Sequence, residues 1–232
     1  MRLAIMQPYL LPYIGYFQLI GAVDEFVVYD NIKYTKKGWI NRNRMLQNGT
    51  DVMFSVPLKS GSDTLNVRER EVAPDFNATK LLNQFKGAYQ RAPHFEQTFP
   101  LIERVIRYGE RNLFAYLHHA ITAVCDHLAI RTPVRVSSTI GIDHDLKAQD
   151  KVLAICRELG ATTYINAIGG LELYDRAAFA AAGIDLKFIQ SRPFTYPQFG
   201  GEFQPWLSIL DVLMFNPTEA VQHAISENFD LV

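Results

Sequence analysis

The sequence predicts an α/β fold: one domain over residues 1–232, with a mainly parallel, Rossmann-like sheet, helices on both faces and a helical middle section. Three observations carry this reading. Short apolar runs rich in β-branched and aromatic residues recur along the chain, separated by segments of helical period. Gly160 and Gly183 each stand between a helical segment and the next apolar run, where a helix needs a left-handed residue before a parallel strand begins. The first apolar run opens at once into a proline-bearing loop and a helix, the junction at which open α/β sheets place their ligands.

Taken in order, residues 2–6 read as a strand. Pro8 and Pro12 forbid continued pairing, and residues 16–22 have the spacing of a helix's buried face. Residues 25–29 are short, continuous and rich in Phe and Val, so they read as a second buried strand, parallel to the first across a short crossover. Residues 51–57 form another strand, and Ser60-Gly61-Ser62-Asp63 a turn. An amphipathic helix over 77–91 carries Leu81, Leu82, Phe85 and Tyr89 on one side and is stopped by Pro93. Residues 99–128 are one long helix or two joined near Gly109. Strands resume at 133–137, 163–166 and 185–189, with helices at 147–159 and 171–182 between them. A proline and aromatic loop over 193–205 leads into helices near 206–215 and 218–227.

Composition narrows the classes. Hydrophobic residues make up 48%, charged residues 20%, and the net charge is −1, so neither disorder nor a strongly basic nucleic-acid surface is expected. Cys125 and Cys156 are far apart and lack metal-ligand spacing, as do the six histidines, so no metal is expected and no cofactor is readable. A reducing cytoplasm is the simplest setting. The N-terminal stretch is broken twice by proline and matches neither a secretory signal nor a membrane span.

The candidate site begins in the loop after the first strand, with Gln7, Pro8, Tyr13, Gly15 and Tyr16. Gly15 reads as a point of close backbone approach to a ligand at a helix N-terminus, while Tyr9, Tyr13 and Tyr16 serve either the ligand or the packing. Asp30 ends the second strand, where a carboxylate can orient a ligand hydroxyl or amine, take a proton, or cap the next turn. Residues 33–44 carry five basic side chains and no acid. Within them Lys36 and Arg42 suit phosphate, Trp39 offers a flat surface for a sugar or base, and Asn41 and Asn43 add planar amides. Gln7, Tyr13, Gly15, Tyr16, Asp30, Asn41 and Arg42 are expected to converge on one crevice at the strands' carboxyl edge. Gly169-Gly170 offers a further strand-to-helix turn, and Ser208 and Asp211 a pair within reach of each other on a helix.

Three runs together are familiar: Met6-Gln7-Pro8-Tyr9-Leu10-Leu11-Pro12-Tyr13-Ile14-Gly15-Tyr16-Phe17, Trp39-Ile40-Asn41-Arg42-Asn43, and Pro205-Trp206-Leu207-Ser208-Ile209-Leu210-Asp211. Over nearly the whole chain they resemble the WbqC-like protein family. The resemblance implies a role in bacterial O-antigen or other surface-polysaccharide synthesis. The implied reaction is transfer of a glycyl or other acyl or aminoacyl group to an amino sugar. Its partners would be a nucleotide-linked amino sugar and an activated acyl donor. Where the family usually carries Asn-x-Gly after the last aspartate, this chain has Phe215-Asn216-Pro217, so that corner is not carried over as a site. A looser likeness joins Tyr13-Ile14-Gly15-Tyr16 to the His-x-Gly-His of nucleotidylyltransferases, with both histidines replaced by tyrosines that offer no imidazolium. A module that holds the sugar nucleotide without chemistry is the other alternative.

Overall fold

The computed structural model describes residues 1–232. The first half of the chain forms β1 (Arg2–Met6), α1 (Ile14–Gly21), β2 (Glu25–Val28), β3 (Arg42–Gln47), β4 (Thr50–Ser55), α2 (Ala78–Tyr89), α3 (Phe95–Ile106) and α4 (Leu113–His127). The second half forms β5 (Val134–Val136), α5 (Ala148–Glu158), β6 (Thr163–Ala167), α6 (Arg176–Ala181), β7 (Asp185–Ser191), α7 (Ile209–Phe215), α8 (Thr218–Glu227) and β8 (Phe229–Leu231). The main sheet runs β5-β2-β1-β6-β7-β8, parallel throughout except that β8 returns antiparallel to β7; both edge strands are three residues long. β3 and β4 form a separate hairpin, turned by Asn48 and Gly49 at φ 53° and 77°.

Alternation along the strands divides the apolar residues between two unequal layers. Ala4, Phe26, Val28, Ile165 and Ile189 face a core of 51 buried residues shared with α1–α4, α7 and α8, whereas Leu3, Ile5, Val27, Tyr164, Leu186 and Phe188 face one of 14 under α5 and α6. The single domain is therefore an α/β sheet flanked by helices on both faces, with its mass on one side. No helix is long and apolar enough to cross a membrane.

Local chemistry sets the boundaries. Asn77, Asn112, Asp175 and Ser208 each accept an N–H of the first turn of α2, α4, α6 and α7, caps worth about 1 kcal/mol apiece. Gly160 and Gly183 follow α5 and α6 at φ 68° and 72°, as the sequence requires. Residues 99–128 are two helices, and the first starts earlier than expected, at Phe95. The expected helix over 171–182 shrinks to Arg176–Ala181 because Ile168–Leu173 is a 3-10 turn and Tyr174 is extended. Trp206 is not helical either; it sits at φ 60°, and α7 begins only after the Ser208 cap.

The strand order leaves β1 in both directions. β2 lies on one side and β6 on the other, so the junction beside β1 is the switch point at which a crevice opens beyond the strands' carboxyl ends.

Candidate functional site

That crevice is present, in two connected lobes. One, of about 380 Å³, lies over the ends of β1 and β6 and is lined by Gln7, Tyr9, Asn166, Gly169 and Gly170. The other, of about 580 Å³, extends over β2 to the start of α5 and is lined by Asn31, Lys33, Asn66, Lys147, Gln149 and Lys151. Tyr29, Ile32, Leu173 and Tyr174 line both lobes. Gly170 packs closely on Asn166: a Cβ there would meet its side-chain amide at 2.2 Å. Lys33 and Lys147 are exposed, but Lys151 is only 8% exposed, with its ammonium 5.7 Å from the Tyr29 ring centroid and 3.4 Å from the His144 carbonyl it donates to. Burial, and then the neighbouring Lys147, push the Lys151 amine down; Asp30 opposes them. Burial also raises the Tyr29 and Tyr174 hydroxyls, so both remain protonated donors at neutral pH.

Asp30 is buried at the rim of this cleft. Its carboxylate accepts from Ser137 Oγ at 2.8 Å, Ser138 N–H at 3.0 Å and Ser138 Oγ at 2.5 Å, and Arg68 stands 3.7 Å away. Burial pushes the carboxyl up, but the Ser138 and Ser137 hydroxyls and backbone N–H groups outweigh it, and Asp30 titrates below the usual range. With its oxygens so occupied, Asp30 locks the end of β2 to the turn after β5. His144 is similarly engaged: Asn31 Nδ2 lies 3.0 Å from Nδ1 and the Ile140 carbonyl 3.1 Å from Nε2, which assigns the proton to Nε2. No group of three or more His, Cys, Asp or Glu residues is placed to hold a metal ion.

A smaller pocket of about 200 Å³ shares Tyr9 with the cleft and is otherwise lined by Pro12, Tyr13, Trp39, Asn43, Arg44 and Trp206. Its walls come from three segments fastened to one another. Asn43 Nδ2 donates to the Leu10 and Leu11 carbonyls, Ser208 Oγ donates to the Leu11 carbonyl, Ser208 N–H to the Arg44 carbonyl, and Ile209 N–H to the Pro12 carbonyl. Leu11 at φ 42° and Trp206 at φ 60° are held in left-handed backbone, a cost of about 1–3 kcal/mol for each such non-glycine residue.

The expected convergence on one crevice is not what the fold builds. Gln7 lines the cleft, where its amide donates to the Tyr9 hydroxyl at 2.7 Å, and Pro8 is buried behind it. Tyr13, Trp39 and Asn43 belong to the aromatic pocket. Tyr16 is a core residue, packed on Phe17 and Phe26, with its hydroxyl donating to the Gln7 carbonyl. Gly15 lies under the Tyr13 ring, where a Cβ would come within 2.4 Å of its far end. Asn41 accepts from the Tyr34 hydroxyl and donates to the Val56 carbonyl; Arg42 donates to the Gly38 carbonyl; Lys36 pairs with Asp63 on the surface. Because Tyr13 and Tyr16 point into different environments, the nucleotidylyltransferase likeness finds no common phosphate cradle. Asp211 and Ser208 are fully buried fasteners. The residues sequence reasoning missed are Lys33, Lys147 and Lys151, which share no motif and meet only through the fold.

Comparison with known proteins identifies the family. The model of the WbqC-like protein family matches residues 7–223. The uncharacterized protein Rv1507c of Mycobacterium tuberculosis (strain ATCC 25618 / H37Rv) is 28% identical over 218 residues, covering 93% of each chain. No solved structure matches the chain. With one family model matching most of the chain, from the loop after β1 into α8, the chain belongs to the WbqC-like protein family.

Proposed function

We propose that this protein transfers an acyl or aminoacyl group, glycyl among the candidates, to the amine of a nucleotide-linked amino sugar during O-antigen or other surface-polysaccharide synthesis. The observation that carries the reading is the cationic wall of the switch-point cleft. Lys33, Lys147 and Lys151 line one lobe together with the start of α5, a combination suited to the phosphates of a sugar nucleotide. Asn31, Asn166 and Gln7 supply amides for sugar hydroxyls.

In this reading the acceptor amine attacks the carbonyl carbon of the activated donor, a C–N bond forms, and the bond to the donor's leaving group breaks. The proton lost by the amine is carried off with the donor's leaving group, while Lys151, its ammonium held over the Tyr29 ring, stays charged against the phosphates. The Tyr29 and Tyr174 hydroxyls, kept protonated by burial, donate to the oxygen that gains negative charge. Asp30 acts at one remove, by fixing the corner that carries Asn31.

The test is turnover. Purified protein is incubated with uridine-diphosphate amino sugars and a panel of acyl and aminoacyl donors, and the product is weighed by mass spectrometry. Acylated sugar nucleotide formed by the wild type and lost in Lys151→Met supports the reading. Tight sugar-nucleotide binding with no product from any donor makes the chain a binding module instead.

A further inference from the structure

We propose that the aromatic pocket is a second ligand site, separate from the cleft, and that it takes an uncharged sugar ring. Trp39 and Trp206, the only tryptophans in the chain, both line it, and they are 40% and 61% exposed. Folding buries neither of them well, yet Trp206 is held in a left-handed backbone that presents its ring edge-to-face with Tyr13, 5.8 Å between centroids. Strain maintained around exposed aromatic surface points to a ligand that covers it.

The polar groups decide the class of ligand. Arg44 lies over Trp39 at 5.5 Å, so a cation entering the box would meet a guanidinium, and the usual occupant of an aromatic cage is disfavoured. Nor is this guanidinium free for phosphate. It is paired with Asp51 at 2.9 Å and reaches the Trp206 carbonyl at 3.4 Å, so its charge is already met. A flat nucleobase wants parallel walls, whereas Tyr13 and Trp206 meet at 69°. A sugar chair fits these terms: its C–H face lies on an indole, and its hydroxyls accept from Arg44 and from the Tyr9 hydroxyl, whose oxygen already takes the Gln7 amide. The volume, about 200 Å³, suits one ring and not a nucleotide.

The two tryptophans make the pocket its own reporter. Methyl glucoside and methyl N-acetylglucosaminide are titrated into the protein while tryptophan emission is followed, with saturation-transfer NMR on the glycosides as a second readout. Saturable shifts in the millimolar range are expected, weakened at least about tenfold in both Trp39→Ala and Trp206→Ala, each of which keeps one reporter. Glucose 6-phosphate should bind no more tightly than the neutral glycosides. In Asp51→Asn, where the guanidinium is released, the phosphorylated sugar should gain about tenfold. No saturable response to any neutral glycoside at about 100 mM overturns the proposal. So does tighter binding of adenosine or of the phosphorylated sugar to the wild type. The measurement involves no turnover, so its failure leaves acyl transfer in the cleft standing, and its success does not depend on it.

Discussion

Two buried aspartates anchor the two pockets, and they are held in opposite ways. Asp30, at the rim of the cleft, has backbone N–H groups and the Arg68 guanidinium among its neighbours, and its carboxyl titrates below the ordinary range. Asp211, behind the aromatic pocket, is fully buried and accepts from the Tyr89 hydroxyl at 2.8 Å, the Tyr196 hydroxyl at 2.8 Å and the Gln198 amide at 2.7 Å. Burial raises its carboxyl, and those three neutral donors do not bring it back down. Both groups have their hydrogen bonds made, so counting partners does not separate them. What differs is depth and the kind of donor: at the shallower corner two serine hydroxyls and backbone N–H groups outweigh burial and keep a charge, and the deeper one resists it. Asp211 ties α2 to the loop that ends in Trp206, and Tyr89 extends the tie to β3 by accepting from Leu46 N–H.

The largest effect that would probe this contrast is Asp211→Ala. It strands three buried donors at once, and urea denaturation should show a loss of about 3–5 kcal/mol. Asp30→Asn should cost less, about 1.5–3 kcal/mol, because the serines can turn to the remaining carbonyl oxygen. The sharper measurement is how each Asn variant differs from wild type as pH varies. Asp30 has a depressed value, so its contribution is complete above the ordinary carboxylate pKa of about 3.9 and is lost as pH falls through the folded value. Asp211 has a raised value, so its contribution is complete below about 3.9 and is lost as pH rises through the folded value. The Asp30 difference curve should therefore lie flat above about pH 3.9 and fall on the acid side, whereas the Asp211 curve should lie flat on the acid side and fall as the pH rises above about 3.9. Parallel slopes would end the distinction.

Smaller effects test what each corner serves. Lys151→Met should change stability by no more than about 1 kcal/mol, since the ammonium makes one long hydrogen bond, yet calorimetry should show sugar-nucleotide affinity falling about tenfold. Arg42→Lys should be the mildest. It loses the bond to the Gly38 carbonyl, worth about 0.5–1 kcal/mol, and leaves sugar-nucleotide affinity within about twofold. A tenfold loss of affinity in Arg42→Lys would return the phosphates to the basic loop.

Much of this architecture can be read from composition and period because burial imposes them. The runs at residues 2–6, 25–28 and 163–167 are apolar since both faces of the sheet are covered, and Gly160 and Gly183 mark chain reversals that a side chain would strain. β3 escaped because its residues alternate between buried Asn43 and Met45 and half-exposed Arg42 and Arg44, a pattern that reads as a basic loop until Asn43 is seen holding the Leu10 and Leu11 carbonyls. β8 is too short and polar to give a signal. The site was half legible. Tyr29-Asp30-Asn31 and Gly169-Gly170 mark the cleft because they sit at strand ends, but of its lysines Lys33 comes from the loop after β2 and Lys147 and Lys151 from the start of α5, on the crossover from β5 to β6. What crowds Gly15 was not legible, because a glycine in a loop is silent about its neighbours; here the neighbour is Tyr13 of the same loop.

The three-residue strands at both margins of the sheet bear on how copies of this protein meet in a crowded solution. A sheet grows by offering unpaired backbone to another chain, and β5 and β8 offer only about half the length of an ordinary strand. Charged groups guard both sides: Arg135 of β5 is paired with Glu25, and Asp230 of β8 with Arg192. A molecule arriving edge-on finds too short a ladder to hold and an ion pair to disrupt. The core of this fold can therefore be strongly apolar without the sheet becoming a seed for fibrils.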